Sequence, residues 1–458
     1  TRRKSQEILD WKYPTVLLCI YGFFSTVKPL EPFLIPFLTG PDKNLTIEQV
    51  TNQIFPVWTY SYLAVLVPVF LLTDWLRYKP VVIFQCLVLF STTAMLLWCN
   101  GVLEMQAMQF TYGVVTSCDV AYFTYLYSVV EFKHYLKATS YCRTAQLLGY
   151  TVGSVLGQIL VSFELMSYDN ILVFTLVLTG IALISSILLP MPKTSMFFHQ
   201  MRSARGETDG EGHPRSECEL VVDYKKSAGF KMDFLQCFSS RTLLVWSAWW
   251  ALATCGYNQT VNYVQSLWDY VEPSSNFTVY NGGVEALSNL IGAAAAYGIG
   301  FSSADWSRWG EVALGALSAL EGGALFAMVF SANIWVCYCG YIIFKSLYML
   351  LITIAMFQIA AGLNMERYAL VFGANTFCAL VLQTIITSVV VDSSGLGVDI
   401  VTQFTVYGTY FSIIALIFFL SGLYTTMCRK PEMETQRENP EEMFKAEDDA
   451  QIIIGTKF

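Results

Sequence analysis

Residues 13–38 read YPTVLLCIYGFFSTVKPLEPFLIPFL, an almost wholly apolar run. About 20 such residues in a helix cross the hydrocarbon core of a bilayer, so this run predicts a first membrane span. It is too long for a cleavable signal peptide, and it leads directly into further runs of membrane length. We therefore expect an all-α polytopic membrane protein.

The rest of the sequence repeats this pattern. Of the 458 residues, 55% are hydrophobic and 14% are charged, and this apolar fraction exceeds the globular average of roughly 45–50%. The composition excludes a soluble protein, and no basic patch indicates a nucleic-acid partner. We predict twelve spans, at about 13–38, 55–76, 80–100, 104–130, 141–163, 170–190, 243–268, 281–302, 309–330, 333–358, 367–391 and 401–425.

Loop charges predict the orientation of these spans. Lysine and arginine concentrate in alternate loops, among them 77–79 and 193–241, whereas the intervening loops carry mainly acids. Because basic loops remain in the cytosol, both termini are predicted to be cytosolic. The sequons at Asn44 and Asn276 fall in loops that this bias places outside, so both asparagines are predicted glycosylation sites.

A polar stretch divides six spans from six. We predict an N-terminal six-helix bundle over 1–192, a cytosolic linker over 193–240 with disorder at about 203–229, a C-terminal six-helix bundle over 241–428 and a cytosolic tail over 429–458. This is the layout of the major facilitator superfamily fold, whose substrate site lies near the bilayer midplane between the halves.

Charged residues interrupt the first span. A charge at membrane depth costs at least about 2.5–3.5 kcal/mol, so it needs a physical reason. Lys28 and Glu31 lie among Pro29, Pro32 and Pro36, whose rings break helical hydrogen bonding. We predict a broken helix that lines a cavity. The alternative is a Lys28–Glu31 pair whose charges reach the outer interface.

Polar side chains also share one face of the fourth span. Gln109, Tyr112, Asp119 and Tyr122 are spaced so that one helical stripe would hold all four,. A carboxylate, an amide and two phenols can receive a cation that has hydrogen-bonding edges. The alternative is a structural Asp119, paired with Arg143 or with a backbone group.

Two further groups are candidates for substrate contact. Phe55, Trp58 and Tyr62 form an aromatic face on the second span, suited to cation–π contact or simply to packing. Asn258 and Asn262, one turn apart on the seventh span, can orient a heterocycle or bond to neighbouring helices.

Four membrane charges remain in the second half, namely Glu285, Glu311, Glu321 and Lys345. Structural pairing is the expectation for Glu311 and Lys345, and Glu321 has no explanation. The three histidines lie in predicted cytosolic loops, and the cysteines form no metal or disulfide framework,. We expect no enzyme, no metal and no cofactor. The chain also has no phosphate-binding loop, so transport must draw on gradients.

Seven stretches resemble the reduced-folate carrier and thiamine transporter family. They are residues 31–36, 40–46, 56–63, 246–250, 280–286, 333–338 and 366–373. Only the central loop and the tails diverge. The resemblance implies a monomeric solute carrier of the plasma membrane, which takes up thiamine by alternating access in the lipid bilayer without a cofactor. It also makes proton coupling an expectation.

The resemblance implies specific site residues. Glu31, Asp119 and Lys28 become candidates for proton or charge coupling. Thiamine transporters usually have glutamate at the positions of Gln109 and Asp119, so this chain loses one acid and shortens the other. The substrate site is implied at Glu31, Phe55, Trp58, Gln109, Tyr112, Asp119, Tyr150 and Asn258.

Charge separates the branches of this family, because folates are dianions and thiamine carries a fixed positive charge. By resemblance, folate carriers have arginine at the position of Asp119 and lysine at that of Thr402. A dianion would lose those countercharges here, which favours thiamine. A folate-type anion exchanger, a carrier of pyridoxine or thiamine-like drugs, and a receptor or scaffold that binds without transport remain alternatives.

Overall fold

The computed structural model describes residues 2–130, 135–192, 240–273, 279–299, 306–361 and 365–437, and every regular element in these ranges is helical. The predicted disorder at 203–229 and the sequon at Asn276 lie outside them. The α-helices are α1 (Arg2–Thr26), α2 (Leu34–Thr39), α3 (Phe55–Trp75), α4 (Lys79–Trp98), α5 (Val102–Ser117), α6 (Asp119–Val129), α7 (Tyr135–Ser162), α8 (Tyr168–Leu188), α9 (Arg241–Val271), α10 (Asn281–Ile299), α11 (Trp306–Phe330), α12 (Ile334–Ala361), α13 (Met365–Ile386) and α14 (Ile400–Arg437).

The helices can be grouped along the predicted spans, with α1 and α2 in one span and α5 and α6 in another. Among the described residues, nine helical segments are long and apolar enough to cross a membrane. The α5–α6 pair, α9 and α10 are not among them. The second span begins earlier than predicted, with a π-helical turn at Gln49–Ile54, and α14 continues past residue 425 to Arg437.

The first span is broken, as the prolines predict. α1 ends at Thr26, a 3-10 turn follows at Glu31–Phe33, and α2 begins at Leu34. Proline has no N–H to donate, so a continuous helix through this segment would lose several of its hydrogen bonds. The prediction of a broken helix is confirmed.

Glycines of α7 allow a close approach to this break. A Cβ on Gly153 would lie 2.8 Å from the backbone nitrogen of Lys28, and a Cβ on Gly157 would overlap the carbonyl oxygen of Pro29. Any larger residue at these positions would therefore push α7 away from the break. The two glycines fix the distance between the first and fifth spans.

The fourth predicted span is not one helix. α5 and α6 meet at Cys118, whose φ of −75° and ψ of −9° make it the end of one and the start of the other. Its amide nitrogen lies 3.1 Å from the carbonyl oxygens of both Val114 and Val115, so the backbone tightens there,. Helices cover the predicted span at 104–130, but they are interrupted at Cys118, and Asp119 lies in the first turn of α6.

The helices pack in two groups. α1 packs against α7 and α8, α3 against α5 and α4 against α8. In the second group α11 packs against α12 and α14, α10 against α12 and α9 against α13. The main helix contacts between the groups are α3 with α13 and α7 with α10.

Hydrogen bonds join the two groups at one end of the bundle. We call it the closed end, defined by residues 31–60, 158, 265, 279–283 and 392–403. The Tyr60 hydroxyl donates to Oδ2 of Asp392 at 2.6 Å, and the Ser393 amide donates to the Asn52 carbonyl at 3.1 Å. Burial acts to raise the pKa of the Asp392 carboxyl, but the hydrogen bonds from Tyr60 and Ser394 lower it below its ordinary value,. This acceptor therefore stays charged at neutral pH.

Gly153→Val should destabilise the fold, because its Cβ would meet the backbone at Lys28 and overpacking costs about 1–3 kcal/mol. We expect a lower midpoint of thermal unfolding in detergent. Gly180→Val is the matched control, since no atom lies within 4 Å of a Cβ on Gly180 of α8. Equal midpoints for the two variants would show that α7 does not depend on close contact with the break.

Candidate functional site

Two charges of the first span meet at one tyrosine of α5. Nζ of Lys28 donates to the Tyr112 hydroxyl at 3.1 Å and lies 4.8 Å from the centroid of its ring. The same hydroxyl donates to Oε1 of Glu31 at 3.4 Å. Tyr112 therefore lies between the ammonium and the carboxylate, and the direct Lys28–Glu31 pair that we named as the alternative does not form among the described residues.

Glu31 is weakly held by its surroundings. Its side chain is exposed, yet Tyr112, Tyr150 and Tyr341 from three different helices all interact with its charge. Among the described residues, the long bond from Tyr112 is the only hydrogen bond its carboxylate accepts. The group therefore faces the interior with free acceptor oxygens, which a cation or an N–H donor can use.

The backbone at Glu31 is held from the second group of helices. Nε2 of Gln265 on α9 donates to the Glu31 carbonyl at 2.9 Å, and its Oε1 accepts from the Ile35 amide at 3.4 Å. One side-chain amide thus satisfies a donor and an acceptor freed by the break. We did not single out Gln265 from the sequence, although Asn258, Asn262 and Gln265 recur at helical spacing and mark this face of α9.

Asp119 belongs to a separate polar group. Its Oδ1 accepts from Nε2 of Gln85 at 2.5 Å, and Oε1 of Gln85 accepts from the Tyr21 hydroxyl at 2.8 Å. Lys28 and Arg143 both interact with its charge, so the expected influence of Arg143 is electrostatic and the direct partner is Gln85. The carboxylate is exposed and keeps room for another donor.

The aromatic face of α3 divides into two parts. Phe55 is 4% exposed and packs against Tyr263 of α9, with ring centroids 6.0 Å apart. Trp58 and Tyr62 are half-buried, with centroids 5.8 Å apart, and the Trp58 indole donates to Oγ1 of Thr116 at 3.1 Å. Phe55 is therefore a packing residue, which was the alternative interpretation of this aromatic face. The rings of Trp58 and Tyr62 remain partly exposed.

The remaining first-half residues differ in exposure. Tyr150 is 40% exposed and interacts with the charge of Glu31. Gln109 is buried, at 6% exposure, and has no hydrogen bond among the described residues. Tyr122 is buried and donates to the Leu18 carbonyl at 3.1 Å. Of the predicted stripe, Tyr112 and Asp119 therefore remain open to the interior, whereas Gln109 and Tyr122 are buried.

The seventh-span amides also bond across the bundle. Nδ2 of Asn258 donates to Oε1 of Gln383 on α13 at 3.1 Å, and Nε2 of Gln383 reaches Oγ1 of Thr59 at 3.4 Å. Interhelical bonding, the alternative named for Asn258, is what the structure shows. Nδ2 of Asn262 is buried and has no partner among the described residues, so it remains a free donor.

Sequence analysis missed an aromatic wall in the second half. Lys345 on α12 forms an ion pair with Glu285 on α10, and the Tyr341 hydroxyl donates to Glu285 at 2.6 Å. Tyr257 stacks on Tyr348 with ring centroids 3.8 Å apart. Tyr341, Lys345 and Tyr348 recur at helical spacing in the sequence, and this pattern could have predicted that they share one face of α12. The pairing expected for Lys345 is confirmed.

A sequence profile described as the reduced folate carrier matches residues 9–406 of the chain. The chain belongs to the reduced folate carrier family. It is 48% identical to human thiamine transporter 2 over 98% of each chain, 49% identical to human thiamine transporter 1 over 92% of each, and 38% identical to the human reduced folate transporter over 91% of this chain and 73% of that one.

Solved transporter structures support the fold. A bacterial homologue of the human lysosomal transporter Spinster, inward-facing and unoccupied, matches with a TM-score of 0.59 and 10% identity over 91% of this chain and 97% of that one. The nucleoside transporter NupG matches with a TM-score of 0.57 and 13% identity over 91% and 98%. This member of the reduced folate carrier family is a multi-pass membrane protein with the major facilitator fold.

Two other predicted positions lie at the ends of helices. Thr402, which we aligned with a folate-carrier lysine, is exposed at the closed end and donates to Oδ1 of Asp399 at 2.6 Å. No contact among the described residues joins it to Asp119, so the structure does not bring these two positions together. Glu311 pairs with Arg241 at 3.8 Å, as expected.

Tyr112→Phe should destabilise this carrier, because the ammonium of Lys28 would lose its acceptor and Glu31 its donor. An unsatisfied charged group costs about 1–3 kcal/mol or more, so we expect a lower midpoint of thermal unfolding. Tyr150→Phe is the matched control, since the Tyr150 hydroxyl has no hydrogen-bond partner among the described residues. If both variants melt alike, the Tyr112 hydroxyl does not join the two charges.

Proposed function

We propose that this protein is a plasma-membrane carrier that takes up thiamine by alternating access. The free carboxylate of Glu31 is the observation on which the proposal rests. An exposed acid without an ion pair among the described residues offers a countercharge to an organic cation. The names of the two thiamine transporters with 48% and 49% identity to this chain support the same substrate.

The surrounding groups suit the two parts of thiamine. The thiazolium is a fixed cation, and the open rings of Trp58 and Tyr62 can face it while Glu31 and Asp119 supply negative charge. The aminopyrimidine needs hydrogen-bonding partners, which Asn258, Asn262 and Gln109 would provide. Tyr112 and Tyr150 would complete the binding site on the first half, with Phe55 packed behind it.

Transport would use the two halves as rigid units, 1–192 and 241–428, joined by the linker 193–240. In the described conformation the halves meet at the closed end, where Gln265 holds the backbone of Glu31. Uptake would require this contact to open and a corresponding contact to form at the opposite end. The inside-negative potential favours entry of a monovalent cation by about 2.3 kcal/mol per 100 mV.

The same proposal fixes the orientation. The closed end would face outside and both termini the cytosol, with Asn44 and Asn276 glycosylated. Asn44 is exposed in the loop after α2, which suits a modified side chain. The protein would act as a monomer in the bilayer.

A folate-type anion exchanger is the second candidate. Lys28 favours it, because its ammonium bonds to a neutral hydroxyl and is half-buried beside the interior. A carboxylate of a folate could replace Tyr112 as its partner. The human reduced folate transporter, at 38% identity, supports this candidate less strongly.

Uptake of radiolabelled thiamine into cells expressing the chain tests the proposal, with unlabelled thiamine, pyridoxine and a reduced folate as competitors. We expect saturable uptake that thiamine blocks and folate does not. Uptake blocked by folate would favour the anion exchanger. Counterflow in proteoliposomes separates transport from binding, since a receptor or scaffold gives no exchange across the membrane.

Gln109→Glu should lower the KM for thiamine about fivefold, since a third acid beside Glu31 and Asp119, one turn from Tyr112, adds about 1 kcal/mol of attraction to a cation. Gln109→Met, similar in volume and neutral, is the control and should not lower the KM. A KM that is unchanged or raised in a stably folded Gln109→Glu carrier would place this residue outside the binding site.

A further inference from the structure

Glu321 is a buried acid that the substrate site does not use. It lies on α11 within a membrane-spanning segment and is 0% exposed. Neither of its carboxyl oxygens has a hydrogen-bond partner among the described residues. Buried polar groups almost always have such partners, so a carboxyl with two free oxygens needs an explanation.

Among the residues that the structure describes, none near Glu321 is a cation that pairs with it. The nearest polar group is the hydroxyl of Ser318, one turn earlier, whose Oγ accepts from the Trp249 indole of α9 at 3.1 Å. Tyr348 of α12 is the titratable group that interacts with the acid. On the side of α14, the next residue, Gly322, lies against Ser412, which carries no charge.

The charged groups nearest along these helices are already engaged. Lys345 of α12 pairs with Glu285, and Glu311 of α11 pairs with Arg241 and accepts from Ser421 at 2.6 Å. Among the described residues no cation therefore stabilises an ionised Glu321. A buried carboxylate without a countercharge is far less stable than the neutral acid, and the nearby hydroxyl of Ser318 does not supply that charge, so the group holds a proton in this conformation,.

Glu321 also lies directly behind the aromatic wall. Tyr348, which interacts with it, stacks on Tyr257 and shares a 3.0 Å hydrogen bond with Oγ1 of Thr254. Tyr348 also interacts with the charge of Arg143, which belongs to the first half. A movement of the halves that shifts Tyr348 or α9 would change the packing around the acid.

We propose that Glu321 is a proton-binding site, loaded in the described conformation and unloaded when α9, α11 and α12 rearrange during transport. The proton leaves one carboxyl oxygen for water on the side of the membrane to which the carrier is open when the packing loosens. The carboxylate is reprotonated from water on the opposite side after the halves have changed position, so one proton crosses the membrane per cycle. This inference rests on the proposed transport of thiamine and assigns its coupling to a residue away from the substrate.

The experiment uses the full chain reconstituted in proteoliposomes with the membrane potential clamped. A pH gradient is imposed, and the steady-state accumulation ratio of radiolabelled thiamine is measured. Coupling to one proton changes this ratio about tenfold per pH unit. We expect the wild type to show this change and Glu321→Gln to show none, while thiamine counterflow by the variant persists because exchange needs no net proton movement.

Two further variants make the test specific. Glu311→Gln, on the same helix but with a hydrogen-bonded carboxylate, should respond to the gradient like the wild type. Glu321→Asp keeps a titratable group and should recover part of the response. If Glu321→Gln responds like the wild type, or if the wild type does not respond, the proton site is overturned. If the wild type shows no thiamine counterflow at all, the proposed function fails first.

Discussion

Backbone groups at the break in the first span need partners, because the hydrocarbon core of a bilayer offers none. Gln265 meets part of that need, because its amide bonds to the carbonyl of Glu31 and to the amide of Ile35. Gly153 and Gly157 let α7 pack closely against the break. With the backbone satisfied in this way, the chain can hold Lys28 and Glu31 at membrane depth.

The two halves treat their membrane charges differently. In the second half Lys345 pairs directly with Glu285, so that charge is neutralised internally. In the first half the neutral hydroxyl of Tyr112 separates Lys28 from Glu31, and Asp119 accepts a hydrogen bond from the amide of Gln85. Hydrogen bonds to neutral groups leave the net charge of an acid in place. The two acids of the first half therefore lack the direct ion pair that neutralises Glu285, and each keeps acceptor oxygens for a further donor.

Local patterns in the sequence predicted what depends on local chemistry. Apolar runs located the spans, and three prolines predicted the break. The sequence did not predict the helix interruption at Cys118, because neither proline nor glycine occurs there. Structural pairing was predicted for Lys345, but Glu285 was not predicted as its partner, because the two residues lie on separate helices and their contact depends on how those helices cross. Asn258 was predicted as a site residue, but its amide bonds to Gln383, a partner that only the packing of α9 against α13 supplies.

Gln265 connects the candidate substrate site to the closed end. From the second half it bonds to the backbone of Glu31, whose side chain accepts one long hydrogen bond from Tyr112 of the first half. Separation of the halves at the closed end must break both bonds from Gln265, which frees the turn carrying this carboxylate. A ligand that bonds to the Glu31 carboxylate from the interior contacts this same turn. Since both events bear on one short segment, the position of the closed end and the occupancy of the site share a free energy of coupling.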